Sequence, residues 1–219
     1  MSELPFKAIG PWIRPMPSRL VVVAVALFGL TGLQDPIARD PFGAATIAVD
    51  SGQLAALWRD ERAQLVADHE AVAACLRDDV PDCAAMATLL EIVAEAKAHR
   101  GKALIAHINR AINLLIRPAP GAWVGALEVL TFADGDCKDY SIAKFFALHE
   151  AGVPPERVRL VIVRNRRRLE DHMVVAVYDE DEGAWVILDN ASMVLATDTE
   201  NAALYIPLFV LDKAGVRRY

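Results

Sequence analysis

The chain has 219 residues, of which 54% are hydrophobic and 24% charged, with a formal net charge of -6 at pH 7. Twelve glycines and twelve prolines are scattered rather than clustered, which fits one ordinary folded domain. The charge balance lacks the broad basic surface that phosphate-backbone binding demands, so nucleic acid is excluded as an expected partner.

In chain order, the first feature is residues 20–33 (LVVVAVALFGLTGL), an uncharged apolar run preceded by Lys7, Arg14 and Arg19 and followed by Asp35, Pro36, Asp40 and Pro41. A membrane span needs about 20 apolar residues, so this shorter run matches the core of an export signal. A buried hydrophobic helix is the other reading. No small-x-small triplet follows the run directly; a cleaved signal, with Met16 as an alternative start, and an uncleaved anchor both remain open. Residues 1–45 are thus expected to be an export signal or N-terminal anchor with its linker, and residues 46–219 the catalytic domain.

Three helices are predicted next. The first spans 51–76, capped by Ser51, with Leu54, Leu57, Trp58, Leu65 and Val66 in helical period. The second starts after Asp82, aligns Met86, Leu89, Leu90 and Val93, and ends near Gly101. The third, 102–116, carries the stripe Leu104, Ile105, Ile108, Ile112 and Leu115 before Pro118 stops it. Cys75 and Cys83 flank the break at 78–82, either bridging two antiparallel helices or lying buried as free thiols. Asn109 and Asn113, one turn apart, are expected at the surface, the alternative being hydrogen bonds to a neighbouring loop. His69, His99, His107 and His149 sit on helical stretches as surface or packing residues.

The period then changes. A short helical segment leads to the acidic loop 134–136, and a helix over 137–151 buries Ile142, Phe145 and Phe146 before Gly152. Strands follow at 158–163, 172–178, 184–188 and 204–211, with a hairpin turn at 181–183. Helices followed by consecutive antiparallel strands indicate an α+β fold.

Within Gly135-Asp136-Cys137-Lys138-Asp139-Tyr140, Asp136 stands as helix cap and Asp139 three residues on, the spacing of a capping box. Cys137 then lies in the first turn. Backbone N–H groups and the helix dipole there favour a thiolate and can donate to an oxyanion. Flanking Asp, Gly, Lys and Asp suit a buried, inert cysteine poorly. His172 opens an apolar strand joined by a tight hairpin to the strand that ends at Asp189. Counting back from the turn puts the two within a residue or two of opposition, compatible with a hydrogen bond. Cys137, His172 and Asp189 are therefore the expected catalytic triad. No CxxC or HxxxH spacing supports a metal site on these three. The basic run 164–168 (RNRRR), in the loop entering the His172 strand, is either a solvated hairpin tip or a surface favouring an acidic substrate or partner segment.

These residues resemble the bacterial transglutaminase-like cysteine peptidases, which include the LapG-type periplasmic adhesin proteases. The resemblance covers roughly residues 83 to 209 and is carried by Trp123, the segment 135–146 (GDCKDYSIAKFF), 152–157 (GVPPER), Asp171-His172, and 185–190 (WVILDN). It implies a papain-like, transglutaminase-type α+β fold, the triad Cys137, His172 and Asp189, and export. It also implies a cysteine endopeptidase working through a thioester. In LapG-type members the substrate is a large surface adhesin whose release disperses biofilm, and the partner is an inner-membrane cyclic-di-GMP receptor. Trp123 is expected to pack, an indole N–H donated to the oxyanion being the alternative.

Resemblance to the LapG-type members further implies calcium beside the cysteine, where glutamate usually follows it. Lys138 breaks that pattern and leaves Asp134, Asp136 and Asp139 as the candidate ligands. Three nearby carboxylates disfavour a thiolate and a cation offsets them; Lys138 can supply part of that charge, so weakened or absent calcium dependence is expected. An acyl transferase of transglutaminase type and a catalytically inactive interaction module are the alternative functions.

Overall fold

The computed structural model describes residues 39–77, 83 and 86–219. The apolar run at 20–33, expected as export signal or anchor, lies outside them. The helices are α1 (Gln53–Leu76), α2 (Ala87–Lys97), α3 (Gly101–Leu115), α4 (Ala126–Phe132), α5 (Cys137–Glu150) and the short α6 (Asp198–Asn201). The strands are β1 (Ile47–Ala48), β2 (Arg117–Pro118), β3 (Asp134–Gly135), β4 (Val158–Asn165), β5 (Asp171–Asp179), β6 (Ala184–Leu188), β7 (Ala196–Thr197), β8 (Tyr205–Asp212) and β9 (Gly215–Arg218).

Seven strands form one antiparallel sheet in the order β1-β9-β8-β4-β5-β6-β7. The central strands read as near-continuous apolar runs because both faces are covered. One face, with Leu160, Val175, Val177 and Leu188, packs against the helices; the other carries Val161, Val163, Val174, Ala176 and Ile187. Helix α5 lies between the sheet and α2, α3 and α4, so residues 139–148 are all buried. A helix enclosed on every side needs apolar residues around its circumference rather than along one stripe. The narrower stripe of α3, with Ile105, Ile108 and Ile112, reflects its single packed face.

Most predicted elements recur with small shifts. Helix α1 starts after Gly52, whose φ of 95° an L residue resists, rather than after a Ser51 cap. Gly101, expected to end the second helix, instead opens α3, and α2 stops at Lys97. Cys75 and Cys83 are joined in a disulfide. Asn109 is 1% exposed, which corrects the expected surface placement; its amide and that of Asn113 both donate to the Ser192 carbonyl at 3.1 Å.

The second sheet face is closed by residues 39–42, within the stretch expected to be linker. Trp185 Nε1 donates to the Arg39 carbonyl (3.0 Å), and the Tyr219 hydroxyl donates to that of Pro41 (2.7 Å). Asp40 accepts two bonds from Arg217, at 2.7 and 3.0 Å. Arg217 also holds Asp212 (2.9 Å), which pairs with Arg159 (2.9 Å).

Candidate active site

Cys137 is the first residue of α5 and half-buried. The predicted capping box forms: Asp136 accepts from the Lys138 N–H (3.1 Å), and the Asp139 carboxylate accepts from the Asp136 N–H (2.9 Å). The preceding turn is fixed by a parallel pair, β2 with β3, that matches Arg117 to Asp134 and Pro118 to Gly135. Gly135 is required here because a Cβ would fall 2.5 Å from Cβ of Asp139. With the Asp136, Lys138 and Asp139 amides engaged, the Cys137 N–H is the first-turn donor without a protein partner among the described residues. It is available to an oxyanion at the sulfur.

His172 lies on β5, reached from α5 through Ser141, whose hydroxyl sits between the carbonyls of Cys137 (2.8 Å) and Met173 (3.0 Å). Val175 pairs with Leu188, so Asp189 is diagonal to His172 at the predicted offset. His172 Nε2 meets Asp189 Oδ1 at 2.9 Å. The carboxylate also accepts from the Ala191 N–H (2.8 Å) and the Tyr205 hydroxyl (2.5 Å). Asn113 donates to the Asp189 carbonyl (2.9 Å), and Tyr205 stacks beside the imidazole with centroids 5.8 Å apart. Burial disfavours the Asp189 charge, but these donors hold its pKa down to about 2. An ionised carboxylate only accepts, so Nε2 carries a proton and Nδ1 is left to face the sulfur.

Burial alone lowers the pKa of His172, yet hydrogen bonds and charge interactions with Asp189 and Cys137 outweigh it and raise the value to about 9. At neutral pH the imidazole is thus held as imidazolium beside the sulfur.

The acidic residues around the cysteine divide. Asp134 is bound by Arg117 (Nε to Oδ1, 3.0 Å). The Lys138 ammonium sits among three oxygens, donating to Asp136 Oδ2 at 2.7 Å, the Gly121 carbonyl at 3.0 Å and Asp139 Oδ2 at 3.1 Å. No group of three or more His, Cys, Asp or Glu suited to a metal ion occurs among the described residues. The Trp123 indole donates to Glu61 Oε2 at 2.7 Å, so its N–H is spent there rather than on an oxyanion. Burial, together with the charges of Asp68 and Asp139, outweighs that bond and raises Glu61 to about 7. Sequence reading missed Tyr205 and Glu61, while for Asn109 and Asn113 the alternative reading, hydrogen bonds to a neighbouring loop, holds.

The family model of the bacterial transglutaminase-like cysteine proteinases (BTLCP) matches residues 71–206. No curated protein matches the chain. Among solved structures, calcium-bound LapG of Legionella pneumophila aligns with a TM-score of 0.55 at 20% identity, over 61% of this chain and 77% of that one. EGTA-treated LapG of the same organism gives 0.47 at 19% identity, over 59% and 84%. The calcium-bound match shows a common fold, and the family model spans more than half of the sequence with the thiol, imidazole and carboxylate inside it. The chain therefore belongs to the bacterial transglutaminase-like cysteine proteinase family and is a cysteine peptidase of transglutaminase-like fold.

Proposed function

We propose that this peptidase is an exported endopeptidase in which Cys137, His172 and Asp189 form the catalytic triad. The observation that carries the reading is the imidazole of His172, bound on one side to Asp189 at 2.9 Å and interacting on the other with Cys137. The thiolate attacks the scissile carbonyl, the Cys137 N–H supports the oxyanion, and His172 passes its Nδ1 proton to the leaving nitrogen. Water then takes the acyl group from sulfur, with His172 as base. The 75–83 disulfide and the apolar run at 20–33 favour an oxidising, periplasmic setting. A surface protein such as a biofilm adhesin, with a cyclic-di-GMP receptor as regulator, is the LapG-like extension of this reading.

A protein substrate incubated with the enzyme and a primary amine tests the activity by mass spectrometry. New N-termini are expected; amine linked to glutamine instead marks an acyl transferase, and neither product in the presence of many candidate proteins marks an interaction module.

The residues do not fit the calcium ion named for the Legionella protein. The oxygens of Asp136, Asp139 and Gly121 already surround the Lys138 ammonium, and Asp134 is taken by Arg117. Lys138 is a resident cation, and the burial that penalises its charge is outweighed by Asp136 and Asp139, so its pKa is raised. Wild-type turnover is expected to be unchanged by a chelator. Lys138→Glu, which removes the ammonium and adds an oxygen ligand, is expected to create a calcium requirement. Tight calcium binding by the wild type in isothermal titration contradicts this.

A further inference from the structure

Beside His172 runs a cleft of about 390 Å3. Ile187 and Leu204 supply apolar wall, and Arg167, Arg168 and Glu170 stand at its rim; Cys137 does not line it. In the proposed hydrolysis His172 gives its proton to the leaving nitrogen, so the departing part of the substrate has to pass that imidazole. The cleft is lined also by Asp171, Asp189 and Tyr205, so it adjoins the imidazole on the side away from the sulfur, where a chain leaving past His172 emerges.

The rim is a built turn. Asn165 Oδ1 accepts from the backbone N–H groups of Arg167 (2.9 Å) and Arg168 (3.1 Å), and the Leu169 N–H returns to the Asn165 carbonyl (2.8 Å). Leu169 takes the left-handed conformation, with φ of 58°, that closes such a turn. Arg164 is committed to Asp171 (2.5 Å), and Arg166 Nε to the Ala202 carbonyl (3.2 Å). The guanidinium groups of Arg167 and Arg168 have no hydrogen bond or ion pair among the described residues, and Glu170 pairs with neither. In a chain of net charge -6, two uncommitted arginines therefore stand over the path of the leaving chain.

We infer that Arg167 and Arg168 form a subsite for a carboxylate located shortly after the cleaved bond, an inference that rests on the protease reading. Guanidinium forks match carboxylates in a bidentate geometry. The hydrogen-bonded turn reduces the ordering cost of binding. The carboxylate is either an acidic side chain or the C-terminus of the substrate.

The test uses the full chain and peptides blocked at both ends that carry Glu or Lys at successive positions. It measures how well each protects Cys137 from iodoacetamide, and maps any cleavage by mass spectrometry. Glu peptides are expected to protect at concentrations about tenfold lower than their Lys counterparts. The ratio inverts in Arg167→Glu/Arg168→Glu and approaches one in Arg167→Gln/Arg168→Gln. Because each ratio is internal to one variant, a change in folded fraction cancels. Unblocked peptides that bind best with a free C-terminus at the same register assign the carboxylate to the chain end. A wild-type ratio within about twofold of one, a Glu preference that survives double reversal, or products placing the preferred Glu before the cleaved bond overturns the subsite. Loss of peptide discrimination while alkylation still depends on His172 overturns the subsite alone. Alkylation indifferent to His172→Ala overturns the protease reading and the subsite with it.

Discussion

At the residue scale, burial disfavours the His172 imidazolium, but its hydrogen bonds to Asp189 and Cys137 outweigh burial and raise its pKa to about 9. A raised folded value means that the pairing stabilises the protein fully below pH 6.5, the ordinary histidine value, and that this stabilisation is lost as pH rises through about 9. Asp189, held down to about 2, contributes above its ordinary value of 3.8 and loses that contribution as pH falls through about 2. Asp189→Asn is expected to bring the upper edge of the imidazolium window down from about 9 toward 6.5. An NMR titration of His172 reads this directly, and an unmoved midpoint argues against the pairing. Cys137, His172 and Asp189 were legible in sequence because cap spacing, strand register and hairpin length are local. Tyr205 was not, because it reaches Asp189 only through the pairing of β8 with β4, which matches it to Asn165 forty positions away.

At the element scale, α5 sets the chemistry: its first turn presents the thiol and its body is buried on all sides. The cap was readable, but enclosure of the helix was not, since it depends on the sheet, α2, α3 and α4 packing around it. Lys144 shows the consequence. It is 1% exposed, its ammonium has no hydrogen bond or ion pair among the described residues, and it lies 6.0 Å from the centroid of the Tyr140 ring. Burial lowers its pKa to about 7, against the pull of Asp189. A folded value below the ordinary 10.5 costs stability in full below pH 7, and the cost shrinks as pH rises toward 10.5. Lys144→Met, of similar length without the charge, is expected to raise the melting temperature at pH 6 and to gain less at pH 10. A lower melting temperature at pH 6 contradicts the assignment of this lysine as a stability cost.

At the scale of the whole molecule, the ion pairs of Asp40, Arg159, Asp212 and Arg217 tie the start of the described body to its last strand. Nothing local announces this network: its members are dispersed over 177 positions and meet only when the sheet closes. The side chains of Asp40 and Asp212 are 12% and 4% exposed. Arg217→Ala removes one of the two arginines these carboxylates share, leaving Arg159 at 3.7 and 2.9 Å, and is expected to cost about 1.5–3 kcal/mol in urea unfolding. A loss below about 1 kcal/mol is the value for an exposed pair and contradicts a buried clasp.

The central claim concerns the thiolate and imidazolium, and the rate of Cys137 alkylation as a function of pH tests it without a known substrate. Cys137 is the free thiol among the described residues, so the readout is specific. Rapid labelling well below pH 7, lost in His172→Ala and unchanged by calcium or chelator, is the predicted result. A rate that rises only near pH 8.5, as for an ordinary thiol, and that ignores the His172→Ala change contradicts the account.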